Sequence, residues 1–382
     1  MKSLVTELLT DVHPIWRMVA FGLMGVAVGN LVCRWMIRLT VPASGSVSTE
    51  HTQHGHSTWW HRLPLVGPLL ARGRGGYCGQ PTGFWWPAME IGTAALFAAF
   101  AYAYLDLKCQ QTPDVVPSEF WRLGRLFYHL ILISLLITAT GTDFRDYTIS
   151  DWITIPGIII GVAGATISGD LQMMHIWVDW HYEVPGYQGP FRPEWMAQHQ
   201  HLHGLAWSLC GIAVGAALCG IVRAVSKLLL GQEAMGFGDI TLMAMIGSFI
   251  GWQPVLFVLL IAPLCGVAVS VAVRLLTERT FIPYGPYLSA ATVVVLFTWR
   301  WLWMLQFPIS TDRTFSMRLL MGDWPALLIV AGISLGAFVG LLGLLRAYRT
   351  IPVAARSSRA SDGDTTTRRH DDDTPPAARP VP

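Results

Sequence analysis

The chain has 382 residues, 53% of them hydrophobic and 13% charged, with 17 Trp, 37 Gly and a formal net charge of +2. A typical soluble domain carries about 25% charged residues, so this composition excludes an ordinary soluble enzyme, a disordered protein and a collagen-like fibre. The small, evenly spread charge leaves no electrostatic footprint for nucleic acid, and six scattered cysteines (Cys33, Cys78, Cys109, Cys210, Cys219 and Cys265) form no disulfide framework.

In chain order, apolar runs long enough to cross about 30 Å of hydrocarbon recur along the sequence. They predict an all-α polytopic membrane bundle of about nine transmembrane helices, near 18–37, 86–105, 126–142, 152–168, 204–222, 240–252, 254–273, 285–303 and 324–345. The first, followed by Arg34 and Arg38, reads as a membrane helix and not as a cleavable signal peptide. Gln253-Pro254 reads as the tight turn between the sixth and seventh spans. The predicted organisation is a first helix over 1–38, an inside loop over 39–85, and a membrane core over 86–305 carrying an outside loop at 169–203. An additional helix over 306–349 and a disordered, polar inside tail over 350–382 complete it.

Lys and Arg set the orientation. With the N-terminus outside, inside loops hold 12 basic residues against 9 outside, and the tail adds five more inside. The aromatics Trp177, Trp180 and Trp195 of the outside loop suit a water interface. In the same loop His199, His201 and His203 alternate as ligands on a strand would, against the alternative of an exposed loop.

Acidic residues are rare, so those beside the spans are informative. One group runs Thr142-Asp143-Phe144-Arg145-Asp146-Tyr147-Thr148-Ile149-Ser150-Asp151, and another is Gly236-Phe237-Gly238-Asp239. Two spans lie between Asp143 and Asp239, so both stand at the same membrane face whatever the absolute orientation. Two carboxylates a few Å apart tend to share one proton, and such a pair can serve as general base and general acid. Gly236 and Gly238 permit a close approach to a substrate backbone. The plainer reading makes Asp151 and Asp239 helix caps and Asp143 a solvated helix end.

At these residues the chain resembles the type IV prepilin peptidases, GxGD-type intramembrane aspartic proteases. Asp143 and Asp151 have the spacing of the family's first motif, which ends in Pro-Asp where this chain has Ser150-Asp151. Glu233-Ala234-Met235-Gly236-Phe237-Gly238-Asp239-Ile240-Thr241-Leu242 is similar to the second, followed by Gly247 and Gly251-Trp252. Ile282-Pro283-Tyr284-Gly285-Pro286-Tyr287 resembles the family's Ile-Pro-Phe-Gly-Pro-Phe segment. Upstream, Arg72-Gly73-Arg74, Tyr77-Cys78-Gly79, Trp86-Pro87 and Glu90 resemble the end of its inside domain and the start of the second span. The resemblance covers roughly residues 18–300.

What the resemblance implies is a membrane-embedded aspartic endopeptidase with Asp143 and Asp239 as the catalytic pair, supported by Gly236, Gly238, Pro283, Gly285 and Pro286. Asp146 and Asp151 are the weaker partners, Asp151 being expected to cap the fourth span. The substrates implied are precursors of type IV pilins or secretion pseudopilins, cut after a basic leader at the cytoplasmic face of the inner membrane.

Three departures qualify it. Many members carry two Cys pairs, thought to hold zinc, in the inside domain; only Cys78 remains here, and one thiolate cannot make a tetrahedral site. No metal is therefore expected there, although His51, His54, His56 and His61 with Cys78 are a candidate donor set against a solvated His-rich loop. Thr241 stands where many members have Lys. The peptidase reaction implies no cofactor. The N-methylation that many members add uses S-adenosylmethionine, and Glu90 is the residue associated with it. The other readings are a non-catalytic membrane assembly scaffold derived from such a peptidase, and a transporter, which would require charges near mid-span.

Overall fold

A computed structural model of the chain describes residues 12–40, 85–177, 194–233, 235–276, 283–310 and 313–350. The inside loop with Cys78 and its four histidines, the tail and the centre of the outside loop lie outside the described residues.

A helix stands at each of the nine expected spans. They are α1 (Pro14–Thr40), α2 (Trp85–Leu105), α3 (Glu119–Asp146), α4 (Asp151–Ser168), α6 (Gln200–Leu230), α7 (Phe237–Ile250), α8 (Trp252–Leu276), α9 (Gly285–Trp303) and α11 (Trp324–Thr350). Two short helices, α5 (Glu194–Gln198) and α10 (Met317–Gly322), are added. Among the described residues, seven helices are long and apolar enough to cross a membrane, and α7, at 14 residues, is a shorter apolar helix. This is a multi-pass helical membrane protein. Its one sheet, among the described residues, is an antiparallel hairpin of β1 (Gln306–Ser310) and β2 (Arg313–Ser316), which interrupts the stretch expected as a single added helix.

Small residues bring the helices together, as expected where lipid removes any hydrophobic drive between them. Gly25 of α1 lies against Ala94 of α2, where a Cβ would come within 2.7 Å of the Ala94 Cα. Where α6 crosses α7, Gly211 and Gly247 face each other so closely that a Cβ on either would strike the carbonyl of the other. Tyr128 of α3 ties three helices, its hydroxyl reaching the carbonyls of Gly161 in α4 at 2.7 Å and Ser248 in α7 at 3.2 Å. The resulting core holds Leu132, Ile133 and Leu136 of α3, Met243 and Ile246 of α7, and Leu288 of α9, all at most 1% exposed.

Three local expectations are corrected. The turn between α7 and α8 is made at Gly251, in the left-handed region at φ 77°. Gln253 and Pro254 instead lie in the first turn of α8, where Pro is tolerated because that amide has no intrahelical partner. The fourth span is capped by Ser150, whose hydroxyl accepts the Trp152 N–H at 3.3 Å, while Asp151 is an exposed first-turn acid. The outer histidines follow a helix and not a strand: His199 precedes α6, and His201 and His203 lie in it. Nor is the third an exposed loop residue, since His203 is 2% exposed and accepts the Ile176 N–H at 3.2 Å.

Candidate active site

The chemistry gathers where α3 ends and α7 and α9 begin. Asp143 lies in the last turn of α3, 4% exposed, so it is no solvated helix end. After Asp146 the chain turns at Tyr147, held in the left-handed region at φ 55°, with its N–H on the Asp143 carbonyl at 3.0 Å. A non-glycine residue rarely adopts this conformation outside tight turns. Here it ends α3, and Ile149 follows two residues later.

Asp239 is the third residue of α7 and 7% exposed. Its Oδ2 accepts the Gly236 N–H at 3.0 Å, so Gly236, and not Asp239 as the plainer reading had it, is the cap residue, with Asp239 bonding back to it from the first turn. Thr241, where a Lys was absent, turns its hydroxyl back onto the Gly238 carbonyl at 3.0 Å.

Gly285 opens α9, and its backbone lies against the Asp143 carboxylate. Pro286 follows in the same first turn, and Pro283 is buried just ahead of it. The free amides of a helix N-terminus favour an anion, so each carboxyl sits at the positive end of a helix, Asp143 at α9 and Asp239 at α7. The two also lie within electrostatic reach of each other.

The glycines give the site its dimensions. A Cβ on Gly285 would stand 2.5 Å from Asp143 Oδ2 and 3.0 Å from Ile149 Cδ1. One on Gly238 would stand 3.1 Å from Ile149 Cβ. Ile149 therefore stands between the first turns of α7 and α9. A Cβ on Gly236 meets Asp239 Oδ2 at 3.5 Å and the Gly238 nitrogen at 3.9 Å.

All seven site residues expected from the sequence thus fall at one locus, whereas Asp146 and Asp151 are exposed. Sequence reasoning missed Ile149, Tyr284 and Cys219. Cys219, in α6 and 0% exposed, and Tyr284 both lie within electrostatic reach of Asp239. Ile149 and Tyr284 stand inside the very motifs that were read, but an apolar wedge and a phenol carry no signal of their own there. Among the described residues no three His, Cys, Asp or Glu converge as metal ligands.

Comparison with known proteins gives two family matches. A family model described as the type IV leader peptidase family matches residues 193–271, which contain Asp239, and one for the bacterial peptidase A24 N-terminal domain matches residues 23–104. Curated relatives include a prepilin leader peptidase/N-methyltransferase of Xanthomonas campestris pv. campestris, 28% identical over 246 residues, 63% of this chain and 68% of the relative. Another of that name, from Pseudomonas putida, is 28% identical over 260 residues, 66% of this chain and 71% of its own length. A third, from Pectobacterium carotovorum subsp. carotovorum, is 24% identical over 313 residues, covering 74% of this chain and 94% of the relative. No solved structure matches the chain.

Proposed function

We propose that the chain is a member of the type IV leader peptidase family, whose models match it at both residues 23–104 and 193–271, and an aspartic endopeptidase that removes the basic leader from prepilin or pseudopilin precursors. Asp143 and Asp239 are its catalytic pair, at the cytoplasmic face of the inner membrane. The observation that carries this reading is the burial of two carboxyls on separate helices, Asp143 against Gly285 and Asp239 next in the chain to Gly238, with Ile149 touching both glycines.

In this mechanism the pair holds one proton between two acids. The ionised carboxylate takes a proton from water as the oxygen attacks the scissile carbonyl carbon. The protonated partner then gives its proton to the leaving amine as the C–N bond breaks, and the proton taken from water restores the pair. A substrate helix must unwind locally to present its peptide bond, because helical carbonyls and amides are bonded to each other. The missing side chain at Gly236 leaves its backbone open, beside Asp239, to the approach of that extended strand.

The relatives' name includes N-methyltransferase activity, which would take its methyl group from S-adenosylmethionine. Glu90 is the residue the sequence offers for it. In the structure Glu90 is 0% exposed, and its Oε1 accepts from Asn30 Nδ2 at 2.6 Å and Trp86 Nε1 at 2.9 Å. There it joins α1 to α2.

The test is leader removal from a co-expressed pilin-like precursor. Asp143→Asn and Asp239→Asn, at normal protein level, are each expected to abolish it. Normal processing by either variant refutes the assignment. Cleavage by the purified protein separates the enzyme from a scaffold.

A further inference from the structure

The connection that delivers Asp239 is loose by composition. Gly231 ends α6 in the left-handed region at φ 67°, and Gly236 precedes α7. Glycine loses more backbone freedom than any other residue when it is fixed. Asp239 takes its orientation from this connection, because Oδ2 is held by the Gly236 N–H. Whatever anchors the chain ahead of Gly236 anchors that oxygen.

Glu233 supplies the anchor. Its Oε2 lies 2.6 Å from Arg223 Nη2 and its Oε1 3.0 Å from Lys227 Nζ. Arg223 and Lys227 are one turn apart on α6 and so share a face, and each carboxylate oxygen takes one cation. The hydrogen bond from Lys227 first, and then the charges of both cations, hold the Glu233 carboxyl below the usual carboxylate range. The side chains of Arg223, Glu233 and Lys227 are 26%, 39% and 67% exposed, so dissolved salt reaches them.

We propose that Glu233, clamped by Arg223 and Lys227, is a positioning residue for Asp239: the inner end of α6 pins the chain three residues ahead of Gly236 and thereby sets the carboxylate of the reacting pair. This rests on the reading of Asp143 and Asp239 as that pair. Glu233 acts through the Gly236 amide and meets no substrate.

The test uses the full-length protein in detergent with a prepilin precursor, measuring kcat and KM separately at low and high ionic strength. Glu233→Gln is expected to lower kcat about 3- to 5-fold, the scale of a partly exposed ion pair, with KM unchanged. Lys227→Gln, at the most exposed position of the three, lowers it in the same direction by less. Wild-type kcat falls as salt is raised from about 0.05 to about 0.5 M, because screening weakens the clamp, and the Glu233→Gln value does not. R223E and E233R each lose activity alone and recover most of it together. An unchanged kcat in Glu233→Gln, a rise in KM alone, or no recovery in the exchanged pair overturns the proposal. Asp239→Asn is run alongside: inactive, it leaves the catalytic reading standing when the clamp fails, and active, it removes that reading first.

Discussion

The Asp143 carboxylate is lodged against the backbone of Gly285, where a Cβ would stand 2.5 Å from Oδ2. The first turn of α9 thus serves as one wall of the candidate site, and the wall has no side chain. Gly285→Ala must push the carboxyl aside by several tenths of an ångström or more. Misplacement of about 1 Å can cost about 10²-fold in rate, so leader removal is expected to fall by about that factor while the protein keeps its helical circular dichroism. Gly332 in α11, with nothing within 4 Å of a Cβ, is the control: Gly332→Ala is expected to process the precursor at the wild-type rate.

The crossing of α6 and α7 depends on Gly211 and Gly247, each filling the space against the other's carbonyl. Gly247→Ala forces two rigid backbones apart. Overpacking of this kind costs about 1–3 kcal/mol, and a lower melting midpoint in detergent is the expected result. Because α7 carries Asp239 at its start, cleavage is expected to fall with it.

Tyr128→Phe removes a hydroxyl that reaches two carbonyls, those of Gly161 and Ser248, while leaving the ring on Phe249 at 4.6 Å in place. The expected loss is about 1 kcal/mol of stability, the net worth of a typical buried hydrogen bond. Equilibrium unfolding in mixed micelles measures it, and kcat at a temperature well below the midpoint is expected to stay near wild type.

At the end of the bundle opposite Asp143, Asp114 lies 2% exposed between Trp303, whose Nε1 donates to Oδ2 at 2.6 Å, and Arg318 at 3.8 Å. Burial pushes its carboxyl above the usual range, and the Trp303 hydrogen bond and the Arg318 charge pull it back only in part. An acid whose folded pKa is raised binds its proton more tightly when folded, so its contribution favours the fold at low pH and is lost as pH rises through that value. Melting midpoints taken from about pH 4 upward are expected to show this loss in the wild type, and Asp114→Asn to flatten it.

Much of the architecture was legible because length and hydropathy decide it. A helix is the means by which a single segment satisfies its own amides and carbonyls in lipid, so each apolar run became one. Tight turns were less legible. Gln253-Pro254 carried the residue types of a turn, yet Gly251 made it, since Pro is equally at home inside a first helical turn. The outer histidines alternated in the sequence, but α6 began at Gln200 and carried His201 and His203 into a helix.

Composition, the spacing of apolar runs and the parity of crossings already placed Asp143 and Asp239 at one membrane face, because the hydrocarbon thickness leaves a chain few ways to run. Those quantities are local or periodic and can be counted along a strand of letters. That Ile149 wedges between Gly238 and Gly285, and that the Gly285 backbone meets the Asp143 carboxylate, depended on how the helices pack. Such contacts join residues far apart in the chain, and they follow from which small side chains let two backbones touch, something the order of residues does not express.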